Sequence, residues 1–115
     1  MPLFSGSGNR QYLPLGCYRD KSGDKALPIK VTNFRGGINW HDMSQTVKDC
    51  ATATAQKYPK LKVFALQFYG ECYSGDNGLE TYSKHGKVEY SDDNVKYCWS
   101  GVGRAGYNFV YKFEN

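Results

Sequence analysis

The sequence lacks the features of several common protein classes. It has no apolar run approaching the roughly 18 residues that a membrane-spanning helix needs. Its formal charge of +4 comes from Lys and Arg residues that are spread along the chain rather than gathered in one block. Such spacing does not indicate a basic tail for nucleic acid, and no RNA-binding motif is present. We therefore expect neither a membrane span nor a nucleic-acid partner.

Catalytic and metal-binding motifs are also missing. The two histidines, His41 and His85, belong to no G-x-S-x-G or H-E-x-x-H pattern, and no C-x-x-C pair occurs. The sequence therefore predicts that the protein is not an enzyme. A glycosidase that pairs Glu71 with Asp42 or Asp76 is the weaker alternative, because the distance between these carboxylates does not follow from the sequence.

No cofactor is expected. Calcium stays open, because Asp76, Asn77, Glu80 and residues 92–94 supply the hard oxygen ligands that this ion prefers. Neither group has the spacing of an EF-hand loop, so an Asx-type turn at Asp76 and a solvated loop at 92–94 are the simpler interpretations.

The first residues predict little structure. Residues 1–9 contain no continuous apolar segment of the kind found in signal peptides, and the chain has no N-x-S/T glycosylation sequon. We interpret residues 1–10 as a flexible lead-in and residues 11–115 as a single domain.

Aromatic residues and glycine are abundant instead. The chain has 10 Tyr, 6 Phe, 2 Trp and 13 Gly, while aliphatic residues are few. A core built from large aromatic side chains joined by glycine-containing turns favours strands and loops over a helix bundle.

One helix is predicted after residue 42. Asp42 can act as its N-cap, apolar residues recur at intervals of three and four through Gln56, and Pro59 ends the pattern. Trp40 precedes the cap, where a hydrophobic staple onto the first turn is the simplest interpretation.

The other segments predict strands and turns. Residues 11–20 and 106–113 read as strands that pair with each other, and residues 61–75 as one central strand continuing through a bulge at Gly70. Residues 75–78 predict a turn, and residues 79–91 two short strands around a turn at 85–86. Residues 21–39 predict a long loop over the sheet.

Together these segments predict an α+β fold, with one main helix packed on a small, twisted, mostly antiparallel sheet. Four widely spaced cysteines in a small, loop-rich chain indicate two disulfides and an oxidising compartment. Three pairings are open. The order of elements favours Cys50–Cys72, from helix to strand, and Cys17–Cys98, from the first strand to a late loop.

Three sequence phrases resemble a known family. GCYRD (residues 16–20), KDCA (48–51) and FALQFYGECYSG (64–75) are similar to the WSC domain, particularly as it occurs in repeats of secreted marine-invertebrate proteins. The resemblance covers about 60 residues and implies a PAN/apple-like fold, a secreted or cell-surface location and carbohydrate binding. The usual pattern has eight cysteines; this chain has four, with Ser74 where a further one often stands.

A sugar site needs aromatic faces for the ring and planar polar groups for the hydroxyls. We therefore predict a non-catalytic, lectin-like module that binds a glycan or glycoprotein, with tandem copies or oligomers supplying avidity. The predicted contacts are Tyr69, Glu71, Tyr73, Asp76, Asn77, Trp99 and Arg104. A protein-interaction or extracellular-matrix module that binds no glycan is the alternative, because protein interfaces favour the same residue types.

Overall fold

A computed structural model describes residues 4–5 and 10–114. Most of the predicted lead-in, residues 1–3 and 6–9, lies outside the described residues. Phe4–Ser5 pair with the start of the next strand, Phe4 opposite Tyr12 and Ser5 opposite Gln11.

The described residues form an α+β domain, as predicted. The strands are β1 (Phe4–Ser5), β2 (Gln11–Arg19), β3 (Ile29–Asn33), β4 (Val63–Gln67), β5 (Glu71–Ser74), β6 (Lys87–Val88), β7 (Cys98–Trp99), β8 (Val102–Gly103) and β9 (Tyr107–Phe113). The helices are α1 (Met43–Lys57) and α2 (Gly78–Thr81), and a 3-10 helix covers Arg35–Gly37.

The main sheet has the strand order β1-β2-β9-β4-β5-β3, and β6 pairs with β2. Each pairing described in it is antiparallel. The C-terminal strand β9 lies between β2 and β4, so the predicted pairing of first and last long strands is confirmed. The register of β2 shifts between Pro14 and Gly16, where proline cannot donate to the ladder.

Helix α1 begins and ends as the sequence predicts. The side chain of Asp42 accepts a hydrogen bond from the backbone N–H of Ser44, and the helix ends at Lys57, two residues before Pro59. Its apolar face packs on one side of the sheet against residues such as Phe64, Leu66 and Phe109.

A second, smaller core covers the other side of the sheet. It consists of Tyr18, Leu27, Val63, Ala65, Tyr73 and Val110. Leu27 comes from the 21–39 segment, so this segment covers that side as expected, although it also contributes β3 and the 3-10 helix. The sheet is therefore buried on both faces.

Two expectations about strands are wrong. Residues 61–75 form two antiparallel strands, β4 and β5, in which Gln67 pairs with Glu71 across a turn at 68–70. Residues 79–81, predicted as the start of a strand, belong instead to the short helix Gly78–Thr81. The backbone of Gly78 lies so close to Val63 that a Cβ atom there would collide with it, and Thr81 Oγ1 donates to the carbonyl of Ala26 at 2.6 Å.

Both favoured disulfides are present. Cys17 bonds Cys98, and Cys50 bonds Cys72. No helix within residues 4–5 and 10–114 has the length and apolar character of a membrane span.

Candidate functional site

The turn between β4 and β5 has an unusual backbone. Phe68 has φ 49° and Tyr69 φ 72°, two consecutive non-glycine residues in the left-handed region. That conformation costs about 1–2 kcal/mol per residue for L-amino acids. Hydrogen bonds hold it in place: the N–H of Tyr69 donates to the carbonyl of Gly103 at 2.9 Å, and the N–H of Phe34 to the carbonyl of Gly70 at 2.7 Å. The turn is thus fixed by neighbouring segments, as strained backbone at functional sites often is.

Trp99 lies on a short hairpin beside this turn. Strands β7 and β8 pair Trp99 with Val102, so Ser100 and Gly101 form a two-residue turn, with φ 50° and φ 83°. Two positive φ values define the type I′ turn, whose twist matches that of the flanking strands. The disulfide of Cys98, which precedes Trp99, ties the hairpin to β2.

Trp40 completes a group of three rings. It is 51% exposed and lies just before α1. Its ring centroid is 6.3 Å from that of Trp99, with planes 29° apart, and 5.5 Å from that of Tyr69. We call Trp40, Tyr69 and Trp99 the aromatic cluster. The ring partners of Trp40 thus lie far away in sequence, while its packing onto the first turn of α1 stays a prediction.

Arg104 positions Tyr69 in this cluster. Its Nη1 donates to the hydroxyl of Tyr69 at 3.1 Å, and its Nε donates to the carbonyl of Val95 at 2.7 Å. A second guanidinium lies on the same turn, because Cζ of Arg35 is 3.6 Å from the ring centroid of Phe68. The Phe68 and Tyr69 rings are 6.0 Å apart. Two arginines therefore flank the aromatic cluster.

A cleft of about 200 Å³ opens between α1 and the Trp99 hairpin. It is lined by Tyr12, Ser44, Val47, Ser100 and Tyr111. Ser100 follows Trp99 in the chain and Ser44 lies in the first turn of α1, so the cleft opens close to the cluster. Burial raises the pKa of the Tyr111 hydroxyl, which donates to the carbonyl of Gly101 at 2.7 Å.

Glu71 and Tyr73 lie on the opposite side of the sheet from α1. The hydroxyl of Tyr73 donates to Oε1 of Glu71 at 3.0 Å, and Lys25 Nζ is 4.3 Å from the Tyr73 ring centroid. Burial, followed by this hydrogen bond to the Glu71 carboxylate, raises the pKa of Tyr73 to about 12. Tyr73 belongs to the second core and does not join the aromatic cluster.

Asp76 and Asn77 are exposed and lie beyond the other end of β5. This four-residue strand separates them from Glu71 by more than about 10 Å, at roughly 3.3 Å per residue. They line a different small cleft together with Lys25 and Thr81. Of the predicted sugar contacts, the structure thus brings together Tyr69, Trp99 and Arg104, and places Glu71, Tyr73, Asp76 and Asn77 elsewhere.

A buried polar network lies beneath Glu71 and Tyr73. Asp20, whose side chain is 2% exposed, accepts from Gln67 Nε2 at 2.6 Å and from Lys25 Nζ at 3.1 Å. Gln67 Nε2 also donates to Asn108 Oδ1 at 3.0 Å. This network ties Asp20, the residue after β2, to β4, β9 and the 21–28 segment, and the sequence offers no pattern that predicts it.

Two residues at the site were not predicted. Trp40 and Arg35 both come from residues 34–41, the end of the long loop and the residues just after it. The only sequence signal for them was composition, because an arginine and a tryptophan lie near the paired Gly36 and Gly37. No spacing rule relates these two residues to Tyr69. Across residues 4–5 and 10–114, no three His, Cys, Asp or Glu side chains are grouped so that they could hold a metal ion.

Comparisons with protein-family models, with curated proteins and with solved structures gave no match.

Proposed function

We propose that the protein is a non-catalytic, extracellular carbohydrate-binding module whose sugar contacts are the rings of the aromatic cluster. The observation that carries this proposal is the placement of Trp40. A tryptophan that is half exposed, against two further rings, gives an apolar face to solvent where a sugar ring can stack.

Backbone geometry supports a binding role. Both segments that carry Tyr69 and Trp99 contain non-glycine residues with positive φ, an energetic cost that a purely structural turn would avoid by using Gly or Asn. The backbone that carries Tyr69 and Trp99 is thus set before any ligand arrives, and the hydrogen bond from Arg104 Nη1 holds the Tyr69 hydroxyl. Preorganised aromatic side chains lose little conformational entropy on binding, which suits a shallow site for a saccharide.

The neighbouring cleft can supply polar contacts. Ser44 and Ser100 line it. The hydroxyl of Ser44 donates to Oδ1 of Asp42 and can still accept from a sugar hydroxyl, whereas the hydroxyl of Ser100 can donate or accept. Its volume of about 200 Å³ suits part of one sugar residue rather than an enclosed ligand. A single site of this kind is weak, so tandem copies or oligomers would provide useful affinity.

Two further points support this function and its location. The resemblance to the WSC domain implies carbohydrate binding outside the cell. The two disulfides are compatible with an oxidising, extracellular compartment.

A glycan array tests the proposal, run with calcium and again with a chelator. Selective glycan binding by the wild-type protein is expected, and the chelator arm decides whether calcium takes part. If the folded protein binds no glycan in either condition, the proposal is wrong, and a protein-interaction or matrix module becomes the better hypothesis.

Matched variants then locate the site. Trp40→Ala removes the exposed ring of the cluster, while Tyr58→Ala removes an aromatic residue of similar exposure, 36%, at the other end of α1. We expect Trp40→Ala to lose glycan binding at least 10-fold and Tyr58→Ala to retain it, with both variants folded by circular dichroism. Equal binding by the two variants would show that the cluster is not the sugar site.

A further inference from the structure

Two guanidinium groups, those of Arg35 and Arg104, flank the aromatic cluster, and neither has a carboxylate partner among the described residues. The ion pairs found in residues 10–114 are Lys25–Asp20, Lys84–Asp24 and His85–Asp24. Neither Arg35 nor Arg104 is among them. In these residues, neither guanidinium therefore has a carboxylate oxygen within 4 Å, and both favour a ligand that carries negative charge.

Arg35 is the better placed of the two for a ligand. Its side chain is exposed, and its guanidinium stacks on Phe68 with Cζ 3.6 Å from the ring centroid. Stacking fixes the plane of the guanidinium and leaves its N–H edge directed away from the ring. Such an edge matches a planar group with two oxygens, which is the geometry of a carboxylate.

Arg104 plays a different part. Its Nε and Nη1 already donate to Val95 and Tyr69, so Nη2 is the nitrogen left to reach a ligand. Its main effect is to hold Tyr69 and to add positive charge, with Cζ 5.9 Å from the Tyr69 ring centroid. A sugar stacked on the cluster would therefore have Arg104 beside Tyr69. Arg35 would lie on the neighbouring ring of Phe68, whose centroid is 6.0 Å from that of Tyr69.

Resting on the proposed function, we propose that the glycan is acidic: a uronate-containing saccharide whose ring stacks on the aromatic cluster and whose carboxylate accepts from Arg35. The stacking alone would bind neutral sugars as well. The carboxylate contact sets the selectivity and orients the sugar on an otherwise featureless aromatic face.

The probes are uronate oligosaccharides that are compared with their own methyl esters. Oligomers of galacturonate, glucuronate and mannuronate are each measured by titration calorimetry before and after methyl esterification, which removes the charge and keeps the sugar skeleton. We expect at least one acid to bind about 10-fold more tightly than its ester at low salt, the scale of an exposed charge-assisted contact. The preference should shrink as ionic strength increases.

Two variants that each remove one positive charge test whether Arg35 makes the carboxylate contact. Arg35→Gln should abolish the preference for acid over ester. Lys62→Gln should leave that preference unchanged, because Lys62 precedes β4, at the end of the strand away from the turn at 68–70. Arg35→Lys keeps the positive charge but loses the planar guanidinium that can contact both carboxylate oxygens, so we expect it to retain part of the preference for acid over ester. Melting curves establish that the variants are folded, and Arg35→Lys serves as the test if Arg35→Gln does not fold.

The other outcomes separate this inference from the function beneath it. Glycan binding with equal affinity for acid and ester would overturn the uronate assignment and leave the lectin function standing. Binding to sulfated but not to uronate saccharides would also overturn it. If no saccharide binds but an acidic polyglutamate peptide does, both proposals are wrong and the surface binds protein.

Discussion

The two disulfides should contribute unequally to stability, and the difference can be calculated from the chain. We compare the double variant Cys17→Ala/Cys98→Ala with Cys50→Ala/Cys72→Ala. All four cysteines are fully buried, so each variant loses two buried sulfur atoms and gains two small cavities. The packing losses are therefore similar, and the remaining difference is the length of chain that each bond closes.

The bonds span 81 residues for Cys17–Cys98 and 22 for Cys50–Cys72. The chain-entropy relation then gives stabilisations of about 4.5 and about 3.4 kcal/mol. For a chain of 115 residues, each kcal/mol changes the melting temperature by about 4 °C. We expect melting temperatures lower by about 18 °C for the Cys17–Cys98 variant and about 14 °C for the Cys50–Cys72 variant, with similar packing losses added to both.

Differential scanning calorimetry of the oxidised wild type and the two variants measures these shifts. Thiol titration before the scan should detect no free thiol in the wild type. The reasoning is refuted if the Cys50–Cys72 variant melts at the same temperature as the Cys17–Cys98 variant or below it. In that case local packing around each bond, rather than the entropy of the unfolded chain, would dominate.

Two further predictions concern stability. The pKa of Tyr73 is raised to about 12 in the folded protein, from an ordinary value of 10.0. The contribution of this hydroxyl to the free energy of unfolding should therefore be complete below pH 10 and be lost as pH rises to 12. Urea unfolding of the wild type across this pH range should show the loss, and Tyr73→Phe should show less of it. A Cβ atom at Gly103 would collide with the carbonyl oxygen of Tyr107, so Gly103→Ala should cost more than about 3 kcal/mol of stability or prevent folding. A Cβ atom at Gly23 would meet no other group within 4 Å, so Gly23→Ala should change the melting temperature little. Equal effects of the two substitutions would contradict this packing.

The parts of the fold that follow local rules were predictable. Asp42 and Pro59 mark the ends of α1 through capping and backbone chemistry that operate over a few residues. The alternating aromatics of β9 predicted its pairing with β2, because alternation is the signature of a strand. The disulfide pairing followed once the order of helix and strands was in place.

The turn at Phe68 and Tyr69 was not predictable for a physical reason. Sequence rules expect Gly or Asn at positive φ, and two aromatic residues in that position look like the continuation of a strand. The turn is stabilised instead by the backbones of Gly103 and Phe34, which are distant in sequence. Local preference is overridden by tertiary hydrogen bonds that no local pattern reveals.

The same reason explains why the structure brings together only three of the seven predicted sugar contacts. Tyr69, Trp99 and Arg104 were chosen for their chemistry, and the disulfide of Cys98 brings the Trp99 hairpin to the sheet. Glu71 and Tyr73 were chosen for the same chemistry, yet the turn at 68–70 lies between Gln67 and Glu71, and both side chains lie on the side of the sheet opposite α1. The sequence therefore did not show that Tyr69 lies on one side of the sheet and Glu71 and Tyr73 on the other.

The origins of the three rings bear on how the site would work. Tyr69 lies on a strained turn and Trp99 on a disulfide-linked hairpin, and the ring of Trp40, just before α1, contacts both. A preformed apolar face favours stacking but hardly distinguishes one sugar from another, because the apolar sides of many pyranoses are alike. Selectivity must then come from directional groups at the edge of the cluster. Arg35 is exposed, planar and without an ion-pair partner in residues 10–114, so its substitution should alter which sugars bind more than whether sugars bind.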